Sequence, residues 1–398
     1  MLKTLAGGLV CALLGVAALS SYSQGQSKAG AKTMSYSAKQ LDVTIGDRPV
    51  VVLSREAPPE GGAAQITAAE ILPGRGMNIH QLTAYIPGKG PVELCASPVP
   101  QKAREAIVEG PEHVTNKTFG MGGPILLPWA NRIRGKALPG GSEIEALVGG
   151  KTVRLPANGR GRQPGAEPNS IHGLLLSRAM DIAKLDAGAQ QAEVTAVLEA
   201  GDFRGRWPSK THVSVAAQLK DGKFTFQVTA RNTGEETLPM AIGWHPFFAI
   251  AGPRAQLRLR LPARRRALVN NYDDVYPTGQ LVPVKDTAYD FTAPGGAPLN
   301  DLFLDDCFTD LERDARGHAV AEVIDRAAGY GVRIRALSKE IIAMQAYAPL
   351  NRPVMAIEPQ FNLADPFNPI WGKTNTGMVM LKPGQSVTYA VEVEVFVP

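Results

Sequence analysis

The stretch that decides the fold spans residues 212–229. It reads His212-Val-Ser-Val-Ala-Ala-Gln-Leu219, then Lys220-Asp221-Gly222-Lys223, then Phe224-Thr-Phe-Gln-Val-Thr229. Apolar and polar residues alternate on both sides of Asp-Gly. A period of two sends successive side chains to opposite faces of a strand, and Asp-Gly supplies the two left-handed residues of a tight hairpin turn. The pattern recurs outward from there. Asp42-Val-Thr-Ile-Gly-Asp47 and residues 49–53 bracket a second Gly-Asp turn. Further alternating or β-branched runs cover residues 193–198, 257–261, 319–324, 332–337, 341–347, 378–381 and 387–397. Helical periodicity is best at residues 101–108 and is scarce elsewhere. Residues 156–168 and 293–298 read as Gly- and Pro-rich loops. Many short strands divided by turns predict an all-β sandwich or barrel, not βαβ units.

Composition supports a globular chain. Of 398 residues, 44% are hydrophobic and 20% charged, which excludes a largely disordered protein. The 41 Gly and 31 Pro follow no three-residue period, so collagen is excluded and turns are favoured. A formal charge of +5 is mild for this length and does not imply nucleic acid. Arg258, Arg260, Arg264, Arg265 and Arg266 form a basic run without the interleaved aromatics of a single-strand groove. It reads as a solvated strand face and turn.

The N-terminus has an export pattern. Lys3 precedes an uncharged apolar run over residues 5–19, and Ser20, Ser21 and Ser23 follow. Cleavage is expected between residues 18 and 24, with an uncleaved anchor as the alternative. We therefore expect a signal peptide over residues 1–23, a flexible linker over 24–39 and a single β-sandwich domain over 40–398. The protein is then periplasmic or secreted and free of the membrane. Two cysteines remain, Cys95 and Cys307. They can pair only if the fold brings them together. With no CxxC partner, neither suggests a zinc site.

Several catalytic motifs are absent: there is no GxxxxGK[ST], HExxH or GxSxG. Two histidines have notable surroundings. His172 lies in Asn169-Ser-Ile-His-Gly173, and His245 in Gly243-Trp-His-Pro-Phe-Phe248. Each is either a structural residue or a pKa-tuned acid or base. Glu358, in Ile357-Glu-Pro-Gln-Phe361, is either a buried general base or half of a salt bridge. Asp305 and Asp306 are a turn or a ligand-binding pair. Arg132, behind Trp129-Ala-Asn131, can offer a fork of donors to hydroxyls.

Taken in order, these pieces resemble the aldose 1-epimerase (galactose mutarotase) family from about residue 41 to the end. The landmarks are Gly123-Pro-Ile-Leu-Leu-Pro-Trp-Ala-Asn-Arg-Ile-Arg-Gly135, Asn169-Ser-Ile-His-Gly173 and Gly243-Trp-His-Pro-Phe-Phe248. They continue with Leu304-Asp-Asp-Cys-Phe308, Ile357-Glu-Pro-Gln-Phe361 with Asp365-Pro-Phe-Asn368, and Leu381-Lys-Pro-Gly-Gln-Ser386. The chain departs from many members at Leu174, where they have Gly, and at Gln360, where they have Thr.

The resemblance implies one large β-sandwich of the galactose mutarotase-like (supersandwich) type, with a sugar cleft on a concave sheet face. It implies an isomerase that interconverts the α and β anomers of a free aldohexose such as glucose or galactose. No metal or organic cofactor is needed. Glu358 maps to the general base, His245 to the general acid, and His172 to a residue that positions or protonates the ring oxygen. Arg132 with Asn131 maps to hydroxyl binding, and Asp305 rather than Asp306 to substrate binding. Trp244 and Trp129 are candidates to stack on the sugar, or else core. Because acid and base must flank the anomeric centre, we expect His245 and Glu358 to face one cleft without bonding to each other. Arg132, His172 and Asp305 should line it. The alternatives are a hexose-6-phosphate 1-epimerase, in which Arg134 or Arg204 takes part, and a non-catalytic carbohydrate-binding protein on the same fold.

Overall fold

The computed structural model describes residues 35–58, 61–107 and 117–398. The expected signal peptide and most of the expected linker lie outside the described residues. From residue 35 onward the described chain belongs to one compact unit. Its strands pair antiparallel, and the longest helix among the described residues is the single short one at Pro100–Ala106.

The hairpin of residues 212–229 sits near the middle of a nine-stranded sheet. Thr211–Lys220 pairs with Lys223–Asn232, and Asp221 and Gly222 both have positive φ, at 50° and 73°. Val213, Val215, Ala217 and Leu219 are buried, as are Phe224, Phe226, Val228 and Ala230; their neighbours point outward. Burying a side chain such as Phe226 contributes about 1.5–3 kcal/mol. The C-terminal strand Ser386–Phe396 lies between this hairpin and Tyr330–Ala336, so the two ends of the described chain segment 211–396 are stitched side by side.

A second, eight-stranded sheet packs on the first. In order it contains Pro277–Pro283, Ala263–Val269, Leu304–Leu311, Ala343–Ala348, Val354–Gln360, Gly243–Trp244 and Ile125–Leu126, with Phe247–Ala249 also paired to Val354–Gln360. The two sheets meet through aromatics. Phe226 stands edge-on to Trp244 at 5.2 Å, and Tyr389 lies 5.7 Å from Phe361 while its hydroxyl donates to the Pro359 carbonyl at 2.9 Å. Since side chains alternate across a strand, Leu304, Phe308, Met344 and Ile357 join this core, and the intervening residues face the other way.

Cys95 and Cys307 are both buried and free, so they form no disulfide. Burial pushes each thiol up to about 12. Much of the basic run is paired locally with acidic residues. Arg264 pairs with Glu312 at 2.9 Å, Arg265 with Asp310, and Arg266 with Asp306 at 2.5 Å.

Candidate active site

Strand register assembles half of the site. Gln345 is opposite Glu358 on one side and Cys307 on the other; Tyr347 is opposite Asp305 and Ala356. Asp305 therefore shares a face with Glu358, two residues along and two strands across, with Ala343–Ala348 between them. Asp306 points to the opposite face, where it is fully buried and bonded to Arg266 and to the Tyr272 hydroxyl at 2.8 Å. Period-two alternation separates the two aspartates completely.

The other half comes from two clamped loops. The short strand Arg132–Arg134 pairs with Pro168–Ile171, placing Ile171 opposite Arg132 and His172 immediately after it. The His172 amide donates to the Asn131 carbonyl at 2.9 Å. Asn131 and His172 both hold left-handed backbone, at φ 59° and 63°, a conformation uncommon outside Gly but enriched for Asn and His. Gly173, at φ 80°, is obligatory: a Cβ there would lie 2.2 Å from the Leu127 carbonyl oxygen. Asn362 holds Ala130 by both its amide and its carbonyl at 2.9 Å, and the Asp365 amide donates to the Arg132 carbonyl at 2.7 Å. Arg132 is thus fixed from both directions.

The two halves join through Gln345. Its amide donates to Asp305 at 2.8 Å and its carbonyl accepts from Asn131 at 3.2 Å. Asn131 in turn accepts from Arg132 at 3.0 Å. His172 is 5.3 Å from His245, ring centre to ring centre, and Phe119 bridges them, stacked on His172 at 4.5 Å and edge-on to His245 at 4.9 Å. Arg132, His172, His245, Asp305 and Glu358 form one cluster although they span more than two hundred residues of chain.

One expectation is corrected. His245 and Glu358 touch directly, Nε2 to Oε1, at 3.0 Å. Both are at least 95% buried, and the second Glu358 oxygen has no partner. Two buried polar groups with few other partners satisfy each other, because leaving either unpaired is costly. Burial pushes His245 down to about 3, and the Arg132 charge adds to this. Burial holds Glu358 well above the carboxylate range; Asp305 reinforces this and Arg132 opposes it. His172 is driven down by burial, then by His245 and Arg132. Asp305 is raised by burial against the pull of Arg132, Arg162 and its bond from Gln345. Low dielectric favours the neutral forms throughout. Burial thus biases both members of the His245–Glu358 contact towards their neutral forms.

Trp244 and Trp129 are corrected as well. Both are fully buried. Trp244 donates to the Gly123 carbonyl at 3.0 Å and packs against Phe226 and Phe248; Trp129 stacks on Trp207 at 5.0 Å. Neither offers a face to a sugar. Arg134 pairs with Glu167 at 3.2 Å and lies over Tyr276, so it is not a free cation for phosphate. Sequence reasoning missed Gln345, Asn362 and Phe119. Gln345 had a signal: a polar residue in the otherwise apolar run at residues 341–347. Phe119 had none.

The fold is a β-sandwich built on the nine- and eight-stranded sheets, with a buried cluster of titratable side chains on the face of the eight-stranded one. Residues 95–394, three-quarters of the chain, match the aldose 1-epimerase family model, and the chain belongs to that family. Among solved structures it is similar to a galactose mutarotase-like protein from Clostridium acetobutylicum, at 16% identity and a TM-score of 0.70, covering 92% of this chain and 99% of that one. It is similar to the galactose 1-epimerase of Lactobacillus acidophilus at 14% identity and a TM-score of 0.62, covering 91% and 98%. An aldose epimerase homologue from C. elegans gives 16% and 0.61, covering 84% and 96%. At such identities the likeness is one of fold. No curated protein sequence matches the chain.

Proposed function

We propose that this chain is a mutarotase that interconverts the α and β anomers of an aldohexose by acid–base ring opening and reclosure. The observation that carries the reading is the buried His245–Glu358 contact at 3.0 Å, set among Arg132, His172 and Asp305. The pair shares one proton in two arrangements. In one, Glu358 is a carboxylate and His245 an imidazolium; in the other, the proton has moved to Glu358 and both are neutral.

Ring opening converts the first arrangement into the second. Glu358 takes the proton of the C1 hydroxyl while His245 gives one to the ring oxygen, the C1–O5 bond breaks, and C1 becomes an aldehyde. Rotation about C1–C2 exposes the other aldehyde face. Reclosure runs the transfers backwards and restores the pair. Burial favours the neutral arrangement, and the Arg132 charge favours an ionised Glu358. The same charge opposes the imidazolium, so the empty pair rests in the neutral arrangement and a proton must return to His245 before ring opening. The sugar must part the 3.0 Å contact to place O1 at Glu358 and O5 at His245. His172, packed on Phe119, supports the ring-oxygen side.

On the export pattern of the N-terminus we place the enzyme in the periplasm or outside the cell. Polarimetry of freshly dissolved α-D-glucose and α-D-galactose tests the reading. Acceleration of the optical change over the spontaneous rate supports it. An unchanged rate with every aldose tried overturns it.

A further inference from the structure

The face of the eight-stranded sheet that bears Glu358 carries a second feature. Register defines its rows. Leu281 is opposite Ala267, Ala267 opposite Cys307, Cys307 opposite Gln345, and Gln345 opposite Glu358. In the next row of the same face, Arg265 is opposite Thr309, Thr309 opposite Ala343, and Ala343 opposite Gln360. Leu281, Arg265 and Thr309, at the far end of these rows, line a cavity of about 370 Å³. That volume lies within the range of small-molecule sites.

The cavity is not part of the His245–Glu358 cluster. Thr309 stands two residues along and two strands across from Glu358, about 12 Å away by strand geometry. Cys307 and Ala343 occupy the intervening positions, and Leu363 and Trp371 are buried on them. An apolar layer therefore divides the two.

The lining joins uncovered aliphatic carbon to open polar groups. Leu281, Leu311 and Ile342 are only half-buried. Arg265 and Asp310 pair through the guanidinium Nε and one carboxylate oxygen. The terminal guanidinium nitrogens and the second carboxylate oxygen have no protein partner among the described residues. Asn375 accepts from the Gly377 amide at 3.0 Å through its oxygen, which leaves its NH₂ open beside the Thr374 hydroxyl. Charge is compensated. Asp310 meets Arg265, Glu340 lies 4.0 Å from the exposed Lys339, and Arg313 directs its guanidinium to four backbone carbonyls.

This chemistry selects a ligand class. A guanidinium and a carboxylate side by side supply the donor and the acceptor that neighbouring hydroxyls need. Aliphatic side chains cover the C–H groups between those hydroxyls. An anion finds Asp310 in its way and no uncompensated cation to reward it. We propose that this cavity is a second binding site for a neutral polyhydroxylated ligand, a monosaccharide. The inference goes beyond the mutarotase reading and does not depend on it.

The test is a titration of the methyl-labelled full chain, followed by NMR. The probes are methyl β-D-galactopyranoside and methyl α-D-glucopyranoside, whose locked C1 prevents turnover, and inorganic phosphate at equal ionic strength. Leu281, Leu311 and Ile342 report on the cavity. Leu176 and Val354, packed with Phe119 and Phe247, report on the His245–Glu358 cluster. The cavity methyls should shift saturably with at least one glycoside by about 100 mM, the weak range expected of a small ligand, and should ignore phosphate. Leu281→Trp fills the cavity and should abolish the shifts of Leu311 and Ile342. Thr374→Ala/Asn375→Ala removes two open partners and should weaken binding by about fivefold or more. Unmoved cluster methyls in the free variants show that both fold. Cavity methyls that respond to neither glycoside, that respond to phosphate instead, or that still shift after Leu281→Trp overturn the site. Cavity shifts that meet the expectation support it even if no aldose is turned over, an outcome that counts against the mutarotase reading alone.

Discussion

Replacing Glu358 by Gln separates chemistry from packing. The carboxyl is 1% exposed, reaches His245 through one oxygen at 3.0 Å, and leaves the other oxygen unpartnered. An amide of the same shape keeps a bond to Nε2 but cannot accept the C1 proton. Loss of a general base costs about 10²–10⁴ in rate, which is about 3–5 kcal/mol of barrier. Stability moves differently. Burial raises the folded-state pKa of Glu358 well above its ordinary value. Between the unfolded-chain value of about 4.3 and that raised value, the folded chain binds more protons than the unfolded one. Stability therefore declines as pH rises through this window. Gln has no such term, so the variant should melt at or above the wild-type temperature at pH 8. The two melting curves should converge as pH falls towards about 4.3. A chain of this size shifts by about 1–2 °C per kcal/mol, so scanning calorimetry resolves the difference. Near wild-type turnover would refute the base assignment. A variant melting several degrees below wild type at pH 8 would show a stabilising ion pair instead and refute the neutral pair.

Three further outcomes are expected. His245→Asn removes the acid, so kcat should drop by about 10²–10⁴; a melting temperature within a few degrees of wild type, measured on the same preparation, distinguishes this from simple unfolding. Gly173→Ala forces a Cβ to 2.2 Å from the Leu127 carbonyl oxygen at φ 80°, so it should cost more than the about 1–3 kcal/mol typical of backbone strain and displace His172, read as a lower melting temperature together with lower kcat. N-terminal sequencing of protein exported by its native host should begin after about residue 23, and a chain still starting at Met1 counts against export processing.

Strand identity was local and therefore legible. The residue 212–229 hairpin has its turn at Asp221-Gly222 because both positions need positive φ, and its buried set follows the alternation read directly from the chain. The cluster members were legible only as short motifs whose order resembles a family, since each is a few residues in a turn or strand end. Tertiary structure decided which of them meet, and how. Alternation combined with sheet register put Asp305 with Glu358 and turned Asp306 away, which requires knowing the strand's neighbours and which face is core. The direct His245–Glu358 contact arises from burial that no local window encodes. Trp244 was misjudged for the same reason: an indole beside a histidine in sequence points to the opposite side of its strand, into the core against Phe226. Gln345 and Phe119 carry no motif at all. Their roles come from long-range β pairing and loop packing, which bring together side chains from positions 119 to 358 that have no reason to be neighbours until the two sheets close.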